Sequence, residues 1–146
     1  MIKFADRNTV QFDILVQRPG EQDQKFRDLG CEIHVIPYTN KCEYRLAVRT
    51  FLSKMQYVAV HAHMHEHMHV VLQAAREAGV KHCVAHSHNA RIDIPRVLWP
   101  LRLIKHRRYE KYATDLFGCS QLALKWLFPL RWRTGRVIYN DVSYTH

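Results

Sequence analysis

Residues 57–89 read YVAVHAHMHEHMHVVLQAAREAGVKHCVAHSHN. The segment begins with a short apolar run at 57–60 and continues with apolar residues at helical spacing as far as Gly79. A second apolar run follows at 82–85. A strand, a helix and a second strand in this order predict a crossover unit whose two strands are parallel.

The same alternation extends in both directions along the chain. Before this unit, the sequence predicts a strand at 12–16, a helix at 21–29 ending at Gly30, a strand at 31–36 and a helix from Tyr44 to Met55. After it, the sequence predicts a helix at 96–112, a strand at 115–119, a helix at 121–128 capped by Ser120, and a strand at 136–139. Short apolar strands alternating with helices predict an α/β fold, a three-layer sandwich around a parallel sheet, in one domain over residues 1–146.

Composition limits the class of protein without choosing a function. The 146 residues carry a formal net charge of +9 and are 47% hydrophobic, which fits one folded domain and excludes a wholly disordered chain. The charge favours an anionic partner: nucleic acid, an acidic membrane surface or a phosphorylated substrate. The four cysteines are widely spaced, and we find neither a signal-peptide core nor a membrane-spanning apolar window. We therefore expect a cytoplasmic chain with reduced thiols.

Five of the eleven histidines lie between His61 and His69, and they include a zinc-site motif. His65, Glu66 and His69 match H-E-x-x-H, in which two histidines on one helix face hold zinc and the glutamate activates water. With histidine at every second position, one glutamate creates this pattern by chance, and no third ligand is evident. We expect no dedicated metal site, and we keep a zinc-binding metallohydrolase at these three residues as an alternative. Adventitious binding of zinc or nickel is expected in either case.

Polar residues follow the carboxyl ends of the predicted strands, the edge where ligands bind in parallel α/β folds. The third strand leads to His61 and His63, and the fourth leads to the loop His86-Ser87-His88-Asn89. A buried polar group without a partner is costly, so we expect this loop to face a cleft. A histidine there can position or deprotonate a hydroxyl, or neutralise a phosphate; the alternative is a simple turn with His86 packed inward.

Five segments resemble, in order and spacing, those of the family 4 glycosyltransferases. They are the strand with a His-x-His end at 57–65, the helix end and Gly-Val turn at 75–81, the His-containing loop at 85–89, Phe-Gly-Cys-Ser at 117–120 and Val-Ile-Tyr-Asn at 137–140. The resemblance is strongest to the branch that assembles bacterial exopolysaccharide and capsule. It implies a Rossmann-like sheet in the N-terminal, acceptor-binding half of a GT-B fold.

The resemblance also implies a reaction and a set of site residues. A sugar would pass from a nucleotide-sugar donor to a glycan or lipid-linked acceptor, with retention and without a bound metal. The catalytic histidine near the transferred sugar would be His88 or His86. The acceptor side would be lined by His61, His63, Asn89 and Ser120.

The chain departs from the family pattern at both ends. By the resemblance, we expect it to start after the family's first strand and Gly-rich loop, and to lack the second domain that carries the nucleotide-sugar site in the family. We therefore expect a fragment that binds no cofactor itself and is inactive without a nucleotide-sugar-binding C-terminal half. The chain would then be a split enzyme whose C-terminal half is a separately encoded partner, the product of a shortened gene, or a decayed remnant, and these three alternatives stay open.

The predicted helix at 96–112 is strongly basic, with six Lys and Arg residues against one Glu. Cations beside Trp and Leu are typical of a helix that lies on an anionic membrane surface. The membrane-surface residues we predict are Arg102, Lys105, Arg107 and Arg108, with Trp126, Arg131, Trp132 and Arg133 extending the patch. One alternative is an ordinary sheet-covering helix; another is a basic nucleic-acid-binding module, for which no motif is present. We expect peripheral association with the inner face of the plasma membrane, and no nucleic-acid partner.

Overall fold

A computed structural model describes residues 9–63, 67–88 and 99–139. The described strands are β1 (Asp13–Val16), β2 (Glu32–Val35), β3 (Ala59–Ala62), β4 (His82–Ser87), β5 (Asp115–Gly118) and β6 (Arg136–Val137). The described α-helices are α1 (Asp23–Asp28), α2 (Lys41–Met55), α3 (Met68–Glu77), α4 (Trp99–Tyr112) and α5 (Gln121–Leu127). Strands and helices alternate as the sequence predicts, and the α/β class is confirmed.

The described strands pair in two parallel sheets, whereas the sequence analysis predicted one. β1 pairs with β2, and a second sheet has the order β3-β4-β5-β6. The chain divides into two compact units at Ala47 and Val48, and each sheet lies in its own unit. Alternation of strands and helices along a sequence predicts parallel pairing, but it does not specify which strands are neighbours. For that reason the division into two sheets was not predicted.

The two strands that carry the histidines, β3 and β4, end later in the sequence than their apolar residues predict. β3 occupies Ala59–Ala62 instead of 57–60, and β4 continues through His86 and Ser87 instead of ending at 85. The backbone ladder accounts for the extension, because His86 lies opposite Phe117 and Ser87 opposite Gly118 on β5. Hydrogen bonding between strands satisfies the main chain of a polar residue as well as that of an apolar one. Ser87 is thus a buried strand residue, which corrects the prediction of a polar loop from 86.

The helix after β3 also begins later than the H-E-x-x-H pattern requires. α3 begins at Met68, with His67 at its N-cap, whereas the H-E-x-x-H pattern needs a helix from residue 65 onward. Its apolar face is buried and packs against β3, β4 and α4. The buried residues of α3 are Met68, Val70, Val71, Leu72, Ala74 and Ala75. The helix ends at Gly79, whose φ of 82° is the left-handed conformation that glycine adopts without strain.

A close contact between β5 and α5 positions the residues that follow β5. A Cβ atom built on Gly118 would lie 2.8 Å from the Cγ atom of Leu124, so only glycine allows this approach of strand and helix. The Ser120 side chain accepts a hydrogen bond of 3.1 Å from the Ala123 backbone N–H, which confirms the predicted helix cap. Two buried side chains of α5, Leu124 and Leu127, contribute to the core of the second unit.

The first unit is built on the β1–β2 pair. The four residues of β1 pair in register with the four of β2, from Asp13 opposite Glu32 to Val16 opposite Val35. Cys31 and Tyr44 supply its buried side chains. Among the described residues of both units, no helix combines the length and the apolar character that a membrane span needs.

Candidate functional site

Four histidine rings meet at the carboxyl ends of β3 and β4. His61 and His63 are two residues apart, as are His86 and His88, and side chains two apart in an extended strand project from the same face. The parallel register places His61 opposite Val84 and Ala62 opposite Ala85, so the two His-x-His pairs come side by side. We call these four residues the histidine cluster.

The rings of the histidine cluster are joined by two direct contacts between nitrogen atoms. His61 Nε2 lies 3.1 Å from His86 Nδ1, and His63 Nδ1 lies 2.7 Å from His88 Nε2. The rings also stack along each strand, with centroids 4.2 Å apart for His61 and His63 and 4.2 Å apart for His86 and His88. One nitrogen from each of His61, His63 and His86 lies within 4.8 Å of the other two, close enough for the three to share one small ligand.

Burial keeps the inner rings of the cluster neutral. The pKa of His61 is lowered to about 4. Desolvation is the main cause, and the charges that His63 and His88 would carry are the lesser ones. Desolvation, followed by the charges of His88, His63 and His61, likewise lowers the pKa of His86 to about 4. The pKa of His63 is lowered by desolvation and then by His88. Near neutral pH, these three imidazoles therefore offer lone pairs instead of positive charge.

His86 is the buried member of the cluster and has one ring nitrogen left to bind something else. Its residue surface is 5% exposed, whereas His63 and His88 are exposed. Its Nδ1 contacts His61, but its Nε2 is buried without a hydrogen-bond partner among the described residues. A buried nitrogen in this state costs about 1–3 kcal/mol, which a bound hydroxyl or another ligand would recover.

Two residues of the β5 segment complete the site, and sequence reasoning did not assign them to it. The Phe117 ring meets His61 and His86 edge-on, with centroids 5.6 and 6.1 Å away, and forms an apolar wall beside the imidazoles. The Cys119 thiol donates to the backbone carbonyl of His88 at 3.3 Å. The signal available in the sequence is that both residues lie near the carboxyl end of the predicted strand at 115–119, the edge where ligands bind in parallel α/β folds.

The chain is similar to known proteins both in sequence and in fold. No model of a known protein family matches the chain. The chain is 31% identical over 132 residues to "Putative glycosyltransferase EpsF" of Bacillus subtilis (strain 168), a match that covers 84% of this chain and 34% of that protein. Among solved structures it is similar to Anabaena HepE in complex with UDP, with a TM-score of 0.68 and 14% identity over 88% of this chain and 36% of that one. In sequence and in fold, the chain is similar to one half of a GT-B glycosyltransferase. It spans about a third of the length of both relatives.

Other residues predicted for the glycosyltransferase site are only partly described. Asn89 lies outside the described residues. Ser120 is half-buried, and its hydroxyl caps α5. Its role on the acceptor side, like the roles of the four histidines, stays a prediction.

The residues of the alternative zinc motif do not join the histidine cluster where they are described. His65 and Glu66 lie outside the described residues. His69 is in the first turn of α3, and its ring meets Tyr109 edge-on at 5.6 Å. The three cluster histidines that could share an ion therefore include no described member of the motif.

The basic helix α4 has one exposed face and one buried face. Arg107 and Arg108 are exposed, and Leu101 and Ile104 are each 65% exposed. Arg102 and Lys105 lie within α4, but their side chains are outside the described set.

Two of the four residues expected to extend the basic patch are used inside the fold. Trp126 is buried, at 9% exposure. The Arg131 Nη1 atom donates hydrogen bonds to the backbone carbonyls of Glu110 and Ala113. This guanidinium therefore provides hydrogen-bond donors for carbonyl groups at the C-terminal end of α4. The assignment of Trp126 to the membrane patch is therefore wrong, whereas Arg131 is half-buried and also binds the end of α4. Trp132 is half-buried and Arg133 is exposed, and their part in the patch stays a prediction.

Proposed function

We propose that this glycosyltransferase domain forms the acceptor-binding half of an enzyme that transfers a sugar, with retention, from a nucleotide sugar to a glycan or lipid-linked acceptor. The observation that carries the proposal is the histidine cluster, which presents ring nitrogens beside an aromatic wall at the carboxyl edge of a parallel sheet. That edge is where parallel α/β folds bind ligands. The membership of family 4 belongs to this proposal and rests on the sequence motifs.

Hydrogen bonding to sugar hydroxyls is the chemistry that suits these rings. A neutral imidazole has one N–H donor and one acceptor nitrogen, the same combination that a hydroxyl offers. His61 and His86 are neutral near pH 7 because desolvation lowers the pKa of each to about 4. Phe117 supplies an apolar surface against which the C–H face of a sugar ring can pack. The site is therefore suited to an uncharged, hydroxyl-rich acceptor.

His86 and His88 would then act differently at the reacting centre. A base works best when its pKa is near the working pH, so a buried imidazole with a pKa of about 4 is better suited to orienting a hydroxyl than to removing its proton. The buried Nε2 of His86 is the atom that we propose binds the hydroxyl. His88 is exposed, and its ring contacts that of His63. Its side chain can therefore adjust its position to contact the transferred sugar.

The donor would be bound by a domain outside this chain. Both relatives are about three times as long as the part that matches, and the HepE structure contains UDP. These facts support a nucleotide sugar as donor and a nucleotide-binding C-terminal half, either separately encoded or joined to this one. We accordingly propose that this chain binds no nucleotide sugar itself and is inactive alone.

The exposed face of α4 supports a place for the enzyme at an anionic membrane. Leu101 and Ile104 are one helical turn apart, and Arg107 and Arg108 continue along the same side. Apolar side chains can enter the interface while the guanidinium groups attract anionic headgroups. A lipid-linked acceptor on the inner face of the plasma membrane would then be within reach of the enzyme.

Sugar transfer can be tested by supplying the missing half. The chain is mixed with the nucleotide-sugar-binding domain encoded by an adjacent reading frame, together with radiolabelled nucleotide sugars and membrane lipid extract. The proposal predicts label in the lipid or glycan fraction only when both polypeptides are present. Equal incorporation by the partner alone would contradict the proposed role of this chain.

A further inference from the structure

We propose that the histidine cluster is a binding site for a divalent transition-metal ion of the zinc type, with His61, His63 and His86 as ligands. This inference does not depend on the proposed sugar transfer. It differs from the H-E-x-x-H alternative in every ligand, and it replaces the expectation that the chain has no dedicated metal site.

The distances between ring nitrogens fit a shared ion. In a tetrahedral zinc site with Zn–N bonds of about 2.0–2.1 Å, the ligand nitrogens lie about 3.3 Å apart. His61 Nε2 and His86 Nδ1 are already 3.1 Å apart, so this pair needs only a slight opening. The third nitrogen, from His63, lies within 4.8 Å of both. His63 is exposed, so its ring has room to rotate the remaining distance.

The cluster also satisfies the chemical needs of such an ion. Imidazole nitrogen is a preferred ligand of zinc, nickel and copper, and it binds only in its neutral form. A ligating histidine is also usually oriented by a partner on its other side, and the contact of His63 Nδ1 with His88 Nε2 supplies one.

The ion would have an open route from solvent and a free coordination position. His63 and His88 are exposed, so the outer side of the cluster is accessible to ions. Three histidine ligands leave the fourth tetrahedral position for water. Attached to neighbouring parallel strands, His61 and His86 are held at a fixed spacing by the sheet ladder before any ion arrives.

The test is titration of the full chain with zinc, followed by calorimetry, and with cobalt(II), followed by its visible absorption. The ligand variants are His63→Gln, at an exposed position that should not disturb folding, and His86→Gln, at the buried position. The matched control is His82→Gln, an exposed histidine at the opposite end of β4. His69→Gln tests the H-E-x-x-H motif, and His34→Gln tests the second group able to hold an ion, Asp13, Glu32 and His34. Circular dichroism confirms that each variant is folded.

We expect one zinc ion per chain with a submicromolar Kd, and a tetrahedral cobalt spectrum. Loss of an outer partner of a metal ligand already weakens binding about 10- to 100-fold, so each ligand variant should weaken it by at least about 10-fold. His82→Gln, His69→Gln and His34→Gln should bind as the unmodified chain does. Three results would each overturn the proposal. The first is zinc binding no tighter than micromolar, and the second is unchanged binding in folded His63→Gln. The third is binding that is lost in His69→Gln or His34→Gln but kept in His63→Gln.

Discussion

The Nε2 atom of His61 lies 3.1 Å from the Nδ1 atom of His86, so the ends of β3 and β4 are joined by side chains as well as by the sheet ladder. A hydrogen bond between two imidazoles requires a donor on one ring and a lone pair on the other. Double protonation would remove the lone pair and place two positive charges in contact. The stability of this edge of the sheet therefore depends on the neutral forms of its histidines.

Acid should destabilise the fold through this pair. The folded pKa of His61 and of His86 is about 4, against 6.5 for the ordinary side chain, so between these values the unfolded chain binds more protons than the folded one. The free energy of unfolding must then fall as the pH drops from 6.5 towards 4. Urea denaturation at several pH values measures the slope. The double variant His61→Gln, His86→Gln should show a shallower slope, and an unchanged slope would contradict the assignment.

Replacing the cap of α5 should weaken the helix that packs against β5. The Ser120 hydroxyl accepts from the Ala123 N–H, and loss of such a cap costs about 1 kcal/mol, with a range of about 0.5–2. Ser120→Ala should lower the free energy of unfolding by this amount in urea denaturation. Ser120→Asp keeps an acceptor at the N-cap and should retain most of the stability. Equal loss in both variants would show that the hydroxyl acts in another way.

Charge reversal on α4 should weaken binding to anionic membranes. Arg107→Glu with Arg108→Glu removes two exposed cations beside Leu101 and Ile104. Attraction to an anionic surface is worth about 1 kcal/mol per basic residue, so the partition coefficient should fall by at least about 10-fold.

The matched control for that variant reverses two exposed cations on another helix. Lys25→Glu with Arg27→Glu on α1 changes the net charge equally and should leave binding close to that of the unmodified chain. Sedimentation with phosphatidylserine-containing vesicles and with phosphatidylcholine vesicles gives the measurement. If both double variants lost binding equally, the effect would come from net charge and not from the exposed face of α4. If the unmodified chain bound both vesicle types equally, the proposed electrostatic attraction would be wrong.

Much of the fold follows from local patterns in the sequence. The order of strands and helices, the Ser120 cap and the helix end at Gly79 were all predicted, because each depends on residues within a few positions of one another. The pairing of strands in two sheets was not, since it depends on contacts between distant residues. The true end of β4 was also missed, because the ladder to β5 includes His86 and Ser87 where the apolar pattern has already stopped.

The sequence predicts where in the fold the candidate site lies, but it does not predict which of its side chains contact one another. Residues after successive parallel strands converge at one edge, and this argument brought His61, His63, His86 and His88 together. Their direct ring contacts need the register between β3 and β4, which a single sequence does not contain. The role of Trp126 was misjudged for a similar reason. Its partners lie in other segments of the chain, so an aromatic residue near a basic helix looked exposed when it is buried inside the fold.

The central claim is that the histidine cluster lies at the reacting centre of a glycosyltransferase. Its most direct test is to measure the rate of sugar transfer by the two-polypeptide enzyme that carries His86→Ala or His88→Ala. Small misplacement of a reacting group can cost about 100-fold in rate, so each variant should lose on that order of activity. His82→Ala, at the far end of the same strand, should retain full activity. Transfer that survives both His86→Ala and His88→Ala at the unmodified rate would contradict the claim.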